Sequence, residues 1–406
     1  MSSQSRRPGV GMFMAFAFAY FFAAWLRAIT AVLAPDLTRE FGLDAGQLGL
    51  LAGGYFLGFA ATQLPLGNWL DRHGPKRVIL GFLAVAVAGC AAFALASNFA
   101  GLLAARALCG MGVSAGLMAP LTGFRRWFTP GAQLRANSWM LMTGSLGMVA
   151  STLPVQWLLP LMGWRGLFWG LAALIGLAMV FIAWQVPRWD APAAGAGSRG
   201  SYAQIWKNAY FRRMAPVGFV TYGGMIAVQS LWAGPWMVRV AGYSTLQAAT
   251  GLFIVNASML LTFWTWGLVN PALVRRGWTA ERLIAWGLPL NFLVLAAIVA
   301  AGSGAGAGAL ALFCVTSTVV ALALPAVGMA FPSELAGRAL SAFNLVIFAG
   351  VFVIQWGIGL TVDAFLAGGL GAADAFRAAL AVFGASSVAA YGWFLLASGD
   401  NVHQHS

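Results

Sequence analysis

Two arginines stand inside apolar stretches of this chain, where a fixed positive charge costs about 2.5–3.5 kcal/mol on insertion scales. Arg27 lies in the run from Met12 to Ala34, eight residues before Pro35 and so about 12 Å along a helix from its end. Arg106 enters the run over 101–123 from the same side, at comparable depth. None of the ten acids falls deep in such a run. Asp36, Glu40, Asp44, Asp363 and Asp374 sit at one set of ends, and Asp71, Asp190, Glu281, Glu334 and Asp400 at the other. Without a carboxylate to pair them, the arginines find their obvious partner in an anionic solute; the other reading is that Arg27 snorkels to an interface. Tyr20 and Ala24 precede Arg27 by one or two turns on its face and leave space beside it. Tyr222, Gln229 and Trp236 recur at seven-residue spacing and predict one helix face, with Trp232 adjoining. That face offers hydrogen bonds and a stacking surface, or packing between helices. With no acid deep in a run and His73, His403 and His405 all in polar segments, direct coupling to protons would have to use an edge acid such as Asp36 or Asp363, and Asp36 is the candidate.

The elements that hold these residues follow from composition. The chain has 406 residues, 61% hydrophobic and only 8% charged, with mean hydropathy +0.82. A soluble domain carries about 25% charged residues, so the solvent here is membrane lipid. Crossing ~30 Å of hydrocarbon takes about 20 apolar residues. Runs of that length predict twelve helices, near 12–34, 48–70, 77–97, 101–123, 136–159, 166–186, 214–238, 247–270, 283–301, 308–331, 339–361 and 376–397. The fold class is therefore all-α and integral to the membrane: six spans in residues 1–186, a flexible linker over 187–213, and six more in 214–406. The first run is too long for a signal peptide's core, and no small-residue cleavage site follows a short one.

Lys and Arg outnumber Asp and Glu by 23 to 10, giving a net charge of +13. The basic residues fall in short loops rather than along one polar face, so nucleic acid is not an expected partner. With both termini inside the cytoplasmic membrane, 17 of them lie in inner segments and four in outer loops, the bias expected of cytoplasmic loops. Cys90, Cys109 and Cys314 lie singly in apolar runs, which excludes a disulfide framework and a CxxC metal site. The spans hold no nucleophile with its acid and base, and no GxxxxGK[ST] loop, so neither an enzyme nor an ATP-driven pump is expected. No cofactor or metal is called for, and the chain is expected to act as a monomer.

Six spans, a linker and six more suggest duplication. At an offset of 200, Met14, Pro35, Arg39, Gly42, Gln47, Thr62 and Gly67 recur in kind, and Val155-Gln156-Trp157 parallels Ile354-Gln355-Trp356. After the second span runs Gly67-Asn-Trp-Leu-Asp71-Arg72-His73-Gly74-Pro75-Lys76-Arg77. This resembles the signature loop of the major facilitator superfamily. Arg106-x-x-x-Gly110-x-Gly112, Gly163-Trp164-Arg165 and Glu334-x-x-Gly337-Arg338 resemble further stretches of that family. The second-half counterpart of the loop, Gly267 to Gly277, lacks the aspartate.

The resemblance implies two pseudo-symmetric six-helix bundles around a central cavity that opens to each side in turn. In the family, helices one, four, seven and ten line that cavity, which places Arg27 and Arg106 on it. Gly67, Asp71, Arg72, Gly74, Lys76, Arg77, Arg135 and Arg338 are then expected at the cytoplasmic gate. The expected function is gradient-driven, alternating-access transport of a small organic solute, an organic anion for preference, across the cytoplasmic membrane. Organophosphate exchangers carry an arginine on helix seven where this chain has Ala227, which argues against a phosphate ester. The alternative is multidrug or metabolite efflux by proton antiport, although helix five lacks the G-P signature and the spans lack acids. Moving one negative charge into an inside-negative cell costs ~2.3 kcal/mol per 100 mV, so an uncoupled anion carrier would export and uptake would need exchange or a hidden proton site.

Overall fold

The computed structural model describes residues 9–187 and 202–397, and among these every regular element is helical. Ten helices are long and apolar enough to cross a membrane. Two of them, Gln63–Leu95 and Leu153–Gln185, turn at Gly74 and Gly163 and each serve two spans. The crossings are as follows. Span one is Val10–Ala28 with Thr30–Phe41, and span two is Ala45–Ala61 continued over 63–73. Span three is 75–95, and span four is Phe99–Val113 with Ala115–Trp127. Span five is Pro130–Ala150 continued over 153–162, and span six is 164–185. Spans seven to twelve are Ala209–Arg239, Thr245–Arg275, Ala280–Ala301, Ala307–Met329, Ser333–Ala367 and Ala372–Leu396. The twelve crossings expected from hydropathy are all present in the described residues.

Two differences from expectation fall around the linker. Span seven begins at Ala209, not 214, because the Asn208 side chain accepts from the Phe211 N–H at 3.1 Å and starts the helix early. The expected linker is helical over Tyr202–Lys207, and residues 188–201 lie outside the described residues.

By contacts the chain divides into two compact units: Met1–Ile29 with Gly58–Gly197, and Thr30–Leu57 with Ser198–Ser406. The halves of spans one and two nearer Gly42 thus pack within the second unit. In the first unit, span four lies against spans two and three with no room for side chains between them. A Cβ on Gly112 would strike the backbone of Ala86, and one on Gly58 the carbonyl of Ala107. The small residues of the Arg106-to-Gly112 pattern are what let the backbones approach. In the second unit Gly46, Gly49 and Gly53 form one face of span two and lie on Gln355, Phe352 and Gly359 of span eleven.

Several spans break in mid-course. Span one breaks at Ile29, span two at Thr62, span four at Ser114, and span five at Ser151 and Thr152. Hydroxyls hold the breaks in spans two and four: Thr62 donates to Ser114 Oγ at 2.7 Å, and Ser114 in turn to the Met111 carbonyl at 2.8 Å. Gly42 and Gly242, paired at the 200-residue offset, both take left-handed backbone after spans one and seven (φ 63° and 71°).

Gly277 (φ +77°) ends span eight with N–H bonds from Gly277 to Val274 O and from Trp278 to Leu273 O, a Schellman turn. A Cβ in the left-handed region costs about 1–2 kcal/mol. Gly277→Ala is therefore expected to lower the thermal midpoint by a few degrees, read by a detergent-solubilised melt, although open space surrounds the position.

Candidate functional site

In the first unit, spans one and five bring Tyr20 and Arg27 to one stripe. The Tyr20 ring fills the space where a Cβ on Gly144 would stand, and one turn on, Arg27 Nη2 donates to Met148 Sδ at 3.0 Å. That thioether is the sole hydrogen-bond partner of the Arg27 side chain among the described residues, and the side chain is half-buried. A thioether is a weak acceptor, so most of the guanidinium's five donors remain to be satisfied.

Arg106 has a different environment. It is 1% exposed, and donates from Nη1 to Leu26 O at 2.8 Å and from Nη2 to Arg27 O at 3.2 Å. In an unbroken helix these two carbonyls would accept from Thr30 and Ala31. The guanidinium is thus inserted into the ladder of span one, which is one of the recognised causes of a kink. Arg106 of span four holds the backbone at Arg27, while the Arg27 side chain reaches Met148 of span five.

The residues expected on one face of span seven have separate partners. Gln229 donates to Asn256 Oδ1 on span eight at 3.0 Å, Trp232 to the Gln355 carbonyl on span eleven at 3.0 Å, and Trp236 to the Ala305 carbonyl at 2.8 Å. Three side chains expected together thus reach three different elements. Within span seven, Val217–Tyr222 and Val228–Trp232 are π-helical, which shifts the side-chain register along the helix. Single π-turns in helices are frequent at functional sites, and Tyr222, half-buried, sits at the end of the first of them.

In the sequence Gln355 stands out only as part of a repeated tripeptide. Its side chain is wholly buried and donates to Ser230 Oγ at 3.0 Å, while its Oε1 has no partner among the described residues. Asn291 does tie helices, donating to Ser317 Oγ at 2.7 Å and the Phe313 carbonyl at 3.0 Å.

At the end of the second unit bearing Gly42, a cavity of about 620 Å³ is lined by Pro35, Arg39, Asp44, Trp232, Arg239 and Asp363 among others. Asp36 pairs with Arg39 one turn on, at 3.4 Å. Asp363 accepts from the Ala45 and Gly46 N–H groups at 3.1 and 2.6 Å, so a carboxylate of span eleven caps the start of span two.

The loop residues near Gly74 are spread over several partners. Lys76 donates to the Ala183 and Val186 carbonyls at 2.7 Å each and caps the end of span six. Asp71, Arg72 and Arg77 are exposed, and Asp71 has no ion-pair partner among the described residues. Gly67 is half-buried on span two, Gly74 is buried at the turn, and Arg135 is exposed on span five. Arg338 lies near Tyr202, where burial pushes the phenol up and the Arg338 charge pulls it back. No group of three His, Cys, Asp or Glu among the described residues is placed to hold a metal ion.

The sequence matches the Major Facilitator Superfamily over residues 16–354. It is 29% identical over 159 residues to the 4-hydroxybenzoate transporter PcaK of Pseudomonas putida, a match covering 39% of this chain and 35% of the relative. It is 28% identical over 242 residues to the inner membrane transport protein YajR of Escherichia coli K12, covering 57% of this chain and 50% of the relative. The chain therefore spans between a third and a half of the length of these relatives. Among solved structures it is similar to a bacterial homolog of the human lysosomal transporter Spinster in an inward-facing, occupied conformation. There the TM-score is 0.78 at 18% identity, with 97% of each chain covered.

Proposed function

We propose a function from the premise that this chain belongs to the major facilitator superfamily, which its match over residues 16–354 establishes. It acts as a gradient-driven, alternating-access transporter of a small organic anion across the cytoplasmic membrane, with residues 1–186 and 214–406 as the two bundles. The arginine-rich loops face the cytoplasm, in keeping with the charge bias of such loops.

One observation carries the anion: Arg27, a half-buried guanidinium at span depth, is left with a thioether as its only hydrogen-bond partner among the described residues. A carboxylate would satisfy donors that nothing else satisfies, by charge-assisted and forked hydrogen bonds. Arg106 is a positioning residue in this reading, because backbone carbonyls take its donors. The relative named for 4-hydroxybenzoate carries a solute of this class, a carboxylate with an aromatic ring. Asp36 is held by Arg39 near one end of its span, and its proposed role is coupling at that end.

The test is a thermal shift of the purified protein at pH 6 and pH 8 with 4-hydroxybenzoate, its neutral amide and a bulky organic cation. A ligand at 100 times its Kd stabilises by about 2.7 kcal/mol. Stabilisation by the carboxylate alone, lost in Arg27→Ala and partly kept in Arg27→Lys, is the expected result. Stabilisation by the cation or the amide, unchanged in Arg27→Ala, overturns the anion reading and favours efflux of other solutes.

A further inference from the structure

A groove of about 530 Å³ runs along spans eight, nine and ten on the second unit, lined by Thr265, Trp266, Leu273, Trp278, Trp286 and Val319 among others. From Thr262 to Leu273 it follows eleven residues of span eight, about 16 Å. Spans eight and nine are the least buried of the ten long apolar helices, and Trp286 is 76% exposed. The groove is apolar along its length, but its polar contacts are already made within the protein: Trp266 Nε1 donates to Thr318 Oγ1 at 2.9 Å.

Its mouth is the turn that joins spans eight and nine. The Schellman turn at Gly277 brings Trp278 back onto Leu273, and both line the groove. The same turn carries Arg275, Arg276 and Arg282, all exposed. Arg282 donates once, at 3.3 Å, to the Gly277 carbonyl, and Arg275 and Arg276 have no side-chain partner among the described residues. Glu281 is the one acid of this stretch, and it is hydrogen-bonded to the Tyr210 phenol. An apolar slot of about half a bilayer's depth, with three exposed cations on the turn beside its end, complements one kind of molecule. That molecule has a long hydrocarbon chain and a negatively charged head at the interface.

We propose that this groove is a binding site for an anionic phospholipid, with one acyl chain along Thr265, Trp266 and Trp286 and the phosphate held by Arg275, Arg276 and Arg282. Basic clusters between helices at a membrane surface are suited to such headgroups, because each cation near the surface adds to the attraction. The first unit has a groove of about 500 Å³ on spans two, three and four, lined by Trp69, His73, Arg77 and Phe82 among others. Its turn also carries the exposed acid Asp71, and Lys76 is committed to span six. The proposal is confined to the second groove, where the cations stand without an unpaired acid.

Native mass spectrometry of the full chain in detergent tests it, with phosphatidylglycerol and phosphatidylcholine of the same acyl chains added in equal amounts. Retention of one phosphatidylglycerol at least tenfold over phosphatidylcholine is expected. The combined Arg275→Gln, Arg276→Gln, Arg282→Gln variant is expected to bind both lipids alike. Thr265→Phe, which fills the exposed groove and leaves the arginines intact, is expected to lose the same lipid. Equal retention of the two lipids by the wild type, undiminished phosphatidylglycerol in both variants, or a dimer in place of bound lipid overturns the proposal. The thermal shift with 4-hydroxybenzoate is expected to be the same in these variants as in the wild type. A lost lipid with a kept shift thus separates this site from the solute site.

Discussion

Arg106→Ala is expected to destabilise the protein by about 3 kcal/mol, while Arg27→Ala, without ligand, leaves its melting temperature nearly unchanged. The two residues look alike in sequence, each an arginine inside an apolar run, but their surroundings set opposite outcomes. Arg106 makes two bonds to carbonyls in a site that is 1% exposed. Hydrogen bonds to charged groups contribute about 1.5–3 kcal/mol each, and alanine would leave both carbonyls unsatisfied at the Ile29 break. Arg27 would lose one bond to a sulfur. By the scaling for domains of 150–250 residues, 3 kcal/mol corresponds to a fall of about 6–12 °C. A melt of the two variants without ligand measures this directly. Arg106→Lys, with one ammonium in place of a fork, is expected to fall between them, because it reaches one carbonyl at a time. Equal melting of Arg106→Ala and wild type would show that the kink in span one does not depend on this guanidinium.

The contrast between the arginines marks how far the sequence could be read. Twelve spans were legible because lipid imposes length and apolarity on every crossing, and the Gly67-to-Arg77 loop carried enough identity to name the family. The partner of Arg106 was not legible, because its acceptors are main-chain carbonyls at a break that no glycine or proline marks. Pro35, the nearest such signal, stands six residues beyond Ile29. The separate partners of the span-seven residues were not legible either. Side-chain periodicity presumes 3.6 residues per turn, and Val217–Tyr222 and Val228–Trp232 depart from it without a sequence sign. Gln229, Trp232 and Trp236 remained apolar-span polar groups with partners, but on three different elements. Asp363 was legible as an acid near a span end. Its role as the cap of Ala45 and Gly46, more than 300 residues away in sequence, is a tertiary fact.

That cap lies at the top of the contact whose disruption has the second large effect. Gly46, Gly49 and Gly53 of span two and Gly359 of span eleven allow two helices to touch backbone to backbone. A Cβ on Gly359 would strike the Ala45 carbonyl, and one on Gly49 the Gln355 carbonyl, which also accepts from Trp232. In the alternating-access reading, this contact is the seal on the outer side, and it must form and part in each cycle. Overpacking a close contact costs about 1–3 kcal/mol. In Gly359→Leu that cost falls only on the sealed state, which shifts the equilibrium against sealing by about 5- to 150-fold. Leu48, 6% exposed beside the cavity at this end, reports on the seal when replaced by cysteine. Cys90, Cys109 and Cys314 are all buried, so they contribute little background. Labelling of Leu48→Cys in intact cells by a membrane-impermeant maleimide is expected to be slow in the parent and at least fivefold faster with Gly359→Leu. Counterflow of 4-hydroxybenzoate in proteoliposomes is expected to be lost, since exchange requires both states. Asp363→Ala, which removes only the cap, should speed labelling to a smaller extent and keep measurable counterflow. Unchanged labelling with full counterflow in Gly359→Leu would mean that these helices do not separate during transport.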